Sequence, residues 1–369
     1  MSPRRSLRRA RRALRTRRKL GRRRRRHRRA RLRGLRRYPL LLLEDRRRNR
    51  PVRGVEPRFL VVRHSSLPGF FDPFLAWLEA EVPEVRRRFE LRLLPCRVRD
   101  WSPYALHVPW LQDPVQAWSR RAYALALALG EACDSRGIPI VNRVDKLPNA
   151  AKSEAARRIR QAGLRTPRMA RIEDVSAFRE TLLGIPLPLF VREDWGHGGP
   201  IFRVDRPRDV EKIPFHLLTR PVAIEIVDVR SPDGLYRKYR YLAAGDAGIP
   251  QQLHVSTSWV TRGSRNPFSE ALRDEEVAHI EGPDPHHGAF ELARKALGLD
   301  FVAFDYGLDS SAGIVVWEAN PFPYIQVPRG RRSHRAPAVE RAFAGMARLH
   351  LERAGLSVPS RIDEVLRRR

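Results

Sequence analysis

At 369 residues with 42% hydrophobic side chains, the chain can fill two or three packed units, which excludes a small disulfide-stapled scaffold. A formal charge of +32 points toward polyanions, but it is unevenly spread. Residues 1–53 hold 26 Lys and Arg against Glu44 and Asp45 alone, whereas the other 316 residues hold 47 basic and 39 acidic side chains. The body is only mildly basic.

The tail, residues 1–53, is low in complexity, cannot bury a core and repels itself, so it is predicted to be disordered. Two readings stand for it. It rests on phosphates of RNA, DNA or an anionic surface, with salt-dependent affinity, or it has no selected role. The apolar run in "YPLLLLED" (38–45) is too short for a signal-peptide core or a membrane span, and no other stretch approaches 18 apolar residues. Cys96 and Cys133 are distant, with no CxxC and no zinc-like His spacing, so neither a disulfide framework nor a thiolate metal site is indicated. The expectation is a soluble protein of a reducing compartment, the cytoplasm.

In chain order, "RFLVVRHSS" (58–66) reads as a buried strand. Phe74, Leu75, Leu78 and Val82 have helical spacing up to Pro83, which ends or bends that helix, and "ELRLLPCRV" gives a second strand. Asp113 is a candidate cap for one long helix reaching about Cys133, with "IPIVN" a strand after Gly137. This alternation predicts an α/β domain over 54–142. Asn149 is a candidate N-cap for the next helix, Gly163 its C-terminal stop and Pro167 a barrier to continuation. Strands follow at 188–192, 201–204, 222–229 and 239–246, the first two joined by the glycine-rich "EDWGHGGP". Residues 272–280 are undecided, "HHGAFELARKALGLD" is a helix, and a last helix spans about 337–354 before a basic end, 357–369.

The sharpest chemistry lies in "FVAFDYGLDSSAGIVVWEAN". Two β-rich runs separated by "SSA" read as a hairpin. With Ser311 and Ala312 at the turn, Asp305 falls opposite Glu318, and side-chain alternation sets Glu318 and Asn320 on one face. Directly opposite residues lie about 5 Å apart, so three oxygen donors converge. Two acids interrupting apolar runs need a cation or hydrogen-bond partners, and an all-oxygen set suits Mg²⁺ or Mn²⁺.

These residues resemble the closing hairpin of the ATP-grasp superfamily, whose members include glutathione synthetases, D-alanine–D-alanine ligases and ribosomal-protein glutamate ligases. "KSEAARRIRQAGLRTPR", "LFVREDWGHGGPIFRV", "PVAIEIVDV" and "YRYLAAGD" resemble further family segments in family order over about 142–325. The resemblance implies an α+β ATP-grasp domain over 143–356, with lobes of about 143–220 and 221–356 clamping ATP, behind the α/β domain. It implies metal binding by Asp305, Glu318 and Asn320, and phosphate binding by Lys152 and Arg192 under a loop containing Gly198 and Gly199. Glu225 would lie at the adenine and ribose edge, and Arg240 would face the transferring phosphoryl group. Two positions depart from the pattern: Arg192 replaces a lysine, trading a point charge for a planar fork, and His197 occupies a loop usually built of small residues.

The implied activity is an ATP- and Mg-dependent ligation that turns a small-molecule or peptide carboxylate into an acylphosphate for attack by an amine, a thiol or a similar nucleophile. Alternatives are an ATP-binding or kinase-like protein of the same fold, or a polyanion-associated protein acting through its tail. GxxxxGK[ST] and GxGxxG are absent. His254 either lines a pocket or is a satisfied strand histidine; His286 and His287 form a polar loop or helix start; Trp195 packs on a ligand or anchors its loop.

Overall fold

The computed structural model describes residues 39–40, 42–44, 46–47, 55–64, 67–112, 114–195, 199–261 and 267–368; the predicted basic tail lies almost wholly outside them. Three sheets follow one another along the chain. The first is parallel, with β1 (Arg58–Arg63) between β2 (Phe89–Leu93) and β3 (Tyr104–Trp110). Its central strand is apolar on both faces, as a parallel strand covered on both sides must be. Phe59 and Val61 enter one core, and Leu60 and Val62 the other.

The β3 strand was not legible in the pattern, because His107 and Pro109 interrupt it. The fold tolerates Pro109 because β3 borders the sheet, and beyond it only a single bridge joins His107 to Ile140. The predicted "IPIVN" strand reduces to that bridge. Asn142 turns away at φ +55°, and its side chain accepts from Asp300 and Phe301 N–H and donates to Phe301 O at 2.7–3.0 Å. This buried amide fastens the α/β domain to the last sheet.

Val82 (φ −147°) breaks the Asp72–Glu81 helix, and Pro83 opens a short new one, Pro83–Arg86. The single helix expected from Asp113 is instead two. A turn at Val115–Trp118 is interrupted at Ser119 (φ −156°), whose hydroxyl accepts from Ala122 N–H and starts the Arg120–Asp134 helix. A serine that satisfies an orphan donor stops one helix and caps the next. Asp113 lies outside the described residues. Asn149 is likewise no N-cap: its amide donates to Leu297 O at 2.8 Å, and the Lys152–Gln161 helix begins after Ala151 without a local side-chain cap.

The second sheet is antiparallel, built from β4 (Met169–Arg171), β5 (Leu189–Glu193), β6 (Phe202–Val204) and β7 (Pro221–Glu225) in the order β4-β7-β5-β6. Phe178, Leu189, Val191, Val204 and Ala223 form its core. The third, also antiparallel, holds β8 (Tyr236–Ala244), β9 (Ala247–Ser256), β10 (Phe301–Leu308) and β11 (Ile314–Asn320) in the order β11-β10-β8-β9. One of its faces packs Tyr241, Ala243, Val302 and Phe304 against Phe290, Ala293 and Leu297. The other is apolar at Leu242, Ala244, Ile249 and Phe301, where Phe343 and Met346 of the Ala336–Arg353 helix cover it. Beyond that cover the same face turns polar.

The undecided segment is a helix, Glu270–Glu281, capped by Ser269. The basic end also folds into a helix, Ser360–Arg367, whose Ile362 and Val365 join the core while Arg361 pairs with Glu81 at 2.6 Å. Among the described residues no helix is long and apolar enough to cross a membrane.

Candidate active site

The β10–β11 hairpin sets Asp305 opposite Glu318 and Ala303 opposite Asn320. The turn differs from the expected one: Asp309 and Gly313 close it, with Asp309 Oδ1 accepting from Ser311 and Gly313 N–H. Near the turn Leu308 faces Ile314 and Tyr306 faces Val316, one residue out of the predicted register. A bulge between Asp305 and Tyr306 adds Trp317 and restores the predicted pairing at the acids. Gly307 makes room for it, since a Cβ there would lie 2.5 Å from the Trp317 ring. Bulges of this kind re-aim side chains beside functional sites.

Asp305 is buried and faces β8, opposite Arg240. Its Oδ1 accepts from Arg240 Nε at 2.7 Å, and its Oδ2 from Lys238 Nζ at 2.8 Å and a terminal Arg240 nitrogen at 3.1 Å. Burial pushes this carboxyl upward, but the charges of Arg240 and Lys238 outweigh it and hold the group well below the usual carboxylate range. Asp305 in turn raises the Arg240 guanidinium against the effect of burial. Lys238, two residues before Arg240 and so on the same face, was missed in the sequence reading; alternation along β8 could have found it.

From the opposite side comes Lys152, the first residue of its helix and only 5% exposed. Its Nζ lies 3.4 Å from Glu318 Oε1 and 3.4 Å from Asp194 O. Burial lowers its pKa, Glu318 opposes that, and Arg192 on β5 adds to it, for a net downward shift. Asp194, also missed from sequence, supplies what this helix start lacks. It is fully buried after β5 and accepts from Ser153 N–H at 2.8 Å and Ser153 Oγ at 2.9 Å, while Arg220 Nε stands 2.9 Å from it. Arg220 also lies over the Trp195 ring at 5.0 Å, so Trp195 packs against a protein cation.

The remaining predicted residues sit as follows. Asn320 Oδ1 accepts from Phe322 N–H at 2.9 Å. Glu225, the last residue of β7, accepts from Arg168 N–H at 2.9 Å. Gly198 lies outside the described residues, and Gly199 is half-buried shortly before β6. The structure thus gathers Lys152, Arg192, Lys238, Arg240, Asp305 and Glu318, with Asn320 on the same strand face as Glu318.

Among the described residues no group of three His, Cys, Asp or Glu side chains is arranged to hold a metal ion. A cation here would rest on two carboxylates, an amide oxygen and oxygens brought by a ligand. Oxygen-only donors with an ionised Asp305 fit the hard cations Mg²⁺ and Mn²⁺.

No family model and no curated protein sequence matches the chain. Solved structures do. VanG D-Ala:D-Ser ligase from Enterococcus faecalis is similar at a TM-score of 0.51 and 14% identity, over 81% of this chain and 100% of that one. D-alanyl-alanine synthetase A from Vibrio cholerae O1 biovar eltor str. N16961 gives 0.52 and 10%, over 84% and 99%. D-alanine–D-alanine ligase from Bacillus anthracis gives 0.50 and 14%, over 83% and 99%. At such identities the likeness speaks for architecture alone, and that architecture is the ATP-grasp fold: an α/β domain followed by two α+β lobes.

Proposed function

We propose that the protein is an ATP- and Mg-dependent ligase that activates a carboxylate as an acylphosphate for attack by an amine or a similar nucleophile. The observation that carries this reading is the cation cluster: Lys152 and Arg192 from one lobe face Lys238, Arg240, Asp305 and Glu318 from the other. A site that gathers more cations than carboxylates calls for a polyanion, and a nucleoside triphosphate supplies one.

In this reading Lys152 and Arg192 hold α- and β-phosphate oxygens, with the loop at Gly198 and Gly199 over them. Glu225 borders the adenine and ribose. Asp305, Glu318 and Asn320 would hold Mg²⁺ or Mn²⁺, which supplies charge neutralisation on the phosphates when bound. Arg240 stabilises the γ-phosphoryl group as the substrate carboxylate oxygen attacks phosphorus and the bond to the β–γ bridging oxygen breaks, releasing ADP. The nucleophile then adds to the acylphosphate carbonyl, loses its proton to solvent and expels inorganic phosphate. A cytoplasmic setting belongs to the same reading, in keeping with free thiols at Cys96 and Cys133.

Thermal denaturation of the full chain with and without Mg–ATP tests the site, and ADP release with carboxylate and amine panels tests the reaction. The proposal expects a magnesium-dependent rise in Tm that Glu318→Gln and Lys152→Met each diminish, and ADP release that requires both substrates. ADP release with a carboxylate or hydroxyl acceptor alone, yielding a stable phosphorylated product, would make it a kinase. No rise at millimolar Mg–ATP would refute the nucleotide site.

A further inference from the structure

The polar half of the third sheet continues past Arg240 onto β9. Gln252 stands directly opposite Arg240, and His254 opposite Lys238. Arg335, just ahead of the long Ala336–Arg353 helix, reaches over this strand. Its terminal nitrogens contact Gln252 Oε1 at 3.4 Å, Leu253 O at 3.3 Å and Glu276 at 2.8–3.0 Å. Glu276 is itself buried and fixed by Leu253 N–H at 2.8 Å and His334 Nε2 at 2.7 Å, so Arg335 is held from behind.

Two features of this strand call for an anion. Arg335 Nε is a buried donor with no hydrogen-bond partner among the described residues, and buried donors are ordinarily satisfied. Cations also predominate on these strands: Lys238, Arg240 and Arg335 stand here against Asp305 and Glu276. Their combined field, together with burial, pushes His254 down to about 3, with burial first and then Lys238, Arg335 and Arg240 as causes. A neutral imidazole there adds a polar contact without adding charge.

We propose that Arg335, Gln252 and His254 bind a second anionic group of the substrate, so that the molecule activated beside Arg240 is a dicarboxylate. Neighbouring strands lie about 4.8 Å apart, so two carboxylates, one over Arg240 and one over Arg335, are joined by a short carbon chain. Free glutarate-like diacids and a peptide ending in glutamate both present that chemistry. The inference rests on the ligase reading above and adds the substrate class to it.

The test uses the full chain saturated with Mg–ADP, which keeps nucleotide binding as a separate readout. Glutarate, the peptide Gly-Gly-Glu and the monocarboxylate butyrate are titrated while Tm is followed. Glutarate or the peptide should raise Tm where butyrate does not, and whichever acts identifies the source of the diacid. Arg335→Gln should weaken that response at least tenfold while leaving the Mg–ADP response in place. Should Arg335→Gln fail to fold with Glu276 left unpaired, Arg335→Gln with Glu276→Gln removes both charges and gives the same readout. Equal responses to butyrate and glutarate, no response to any of the three, or an unaffected Arg335 variant would each overturn the inference while nucleotide binding stands. No Mg–ADP response at all would instead overturn the reading beneath it.

Discussion

Asp194 and Ser153 are bound twice: the Asp194 carboxylate accepts from the Ser153 backbone N–H at 2.8 Å and from its hydroxyl at 2.9 Å. These residues are 41 positions apart, so the residue that follows β5 starts the helix that carries Lys152. An acid at a helix N-terminus satisfies orphan donors and favours the helix dipole. The position of Lys152 beside Glu318 therefore depends on a residue that need not touch a ligand.

Asp194→Ala should cost at least ~1 kcal/mol for the lost cap, and more because the Arg220 charge loses its partner. Asp194→Asn keeps one acceptor and should cost less. Denaturant melts measure the stability change, and the KM for ATP should rise in both variants as Lys152 loses its mounting. An unchanged melt for Asp194→Ala would show that the helix start does not lean on this residue.

Lys152→Met should reduce kcat/KM for ATP by roughly 10- to 100-fold, the range for losing a hydrogen bond to a charged group, about 1.5–3 kcal/mol. If Lys152 only neutralises Glu318, with which it pairs at 3.4 Å, then Lys152→Met with Glu318→Gln would restore stability, and Lys152→Met alone would leave nucleotide affinity unchanged. Calorimetric titration with Mg–ADP separates these outcomes.

Some of this site could be read in the chain, and the limits have physical causes. Asp305, Glu318 and Asn320 were legible because a hairpin is local and alternation sets its faces. Even there, a turn placed half a step away and an unforeseen bulge at Trp317 offset each other. Lys238 needed only the same alternation carried two residues back from Arg240. Asp194 and Arg335 left no periodic signal: one follows its strand and the other precedes its helix, and what each holds lies tens of residues away. The β3 strand hid behind a proline that only a border position permits. In the basic end, Ile362 and Val365 lie three apart on a face that arginines obscure.

Acid should loosen the fold well above the carboxylate range. His350 is fully enclosed by Phe71, Phe74 and Phe89, and burial pushes it down to about 3. His107, whose Nδ1 lies 3.0 Å from Leu60 O, is pushed to about 4, again chiefly by burial. A histidine depressed in the folded state binds its proton more readily when unfolded, so stability rises with pH between the folded value and about 6.5. From pH 7 to pH 5 each such residue should withdraw about 2 kcal/mol. Urea melts across that range measure the slope. His350→Leu should flatten it by one residue's share, and an identical slope in the variant would mean that His350 is protonated within the fold.

The Trp317 bulge gives a test of how the hairpin aims Glu318. A Cβ on Gly307 would stand 2.5 and 2.6 Å from two atoms of the Trp317 ring, closer than any relaxed contact permits. Gly307→Ala should therefore cost ~1–3 kcal/mol, the usual range for overpacking, and should shift the Trp317 ring. Because Trp317 directly precedes Glu318, ADP release should fall by more than the stability loss explains at temperatures where the variant stays folded. Trimming the ring removes the clash, so Gly307→Ala with Trp317→Leu should be more stable than the two single costs together imply, with a coupling of about 1 kcal/mol or more in a double-mutant cycle. Strict additivity would show that the ring can move aside freely, and that the bulge, rather than its close packing, sets the register of the two acids.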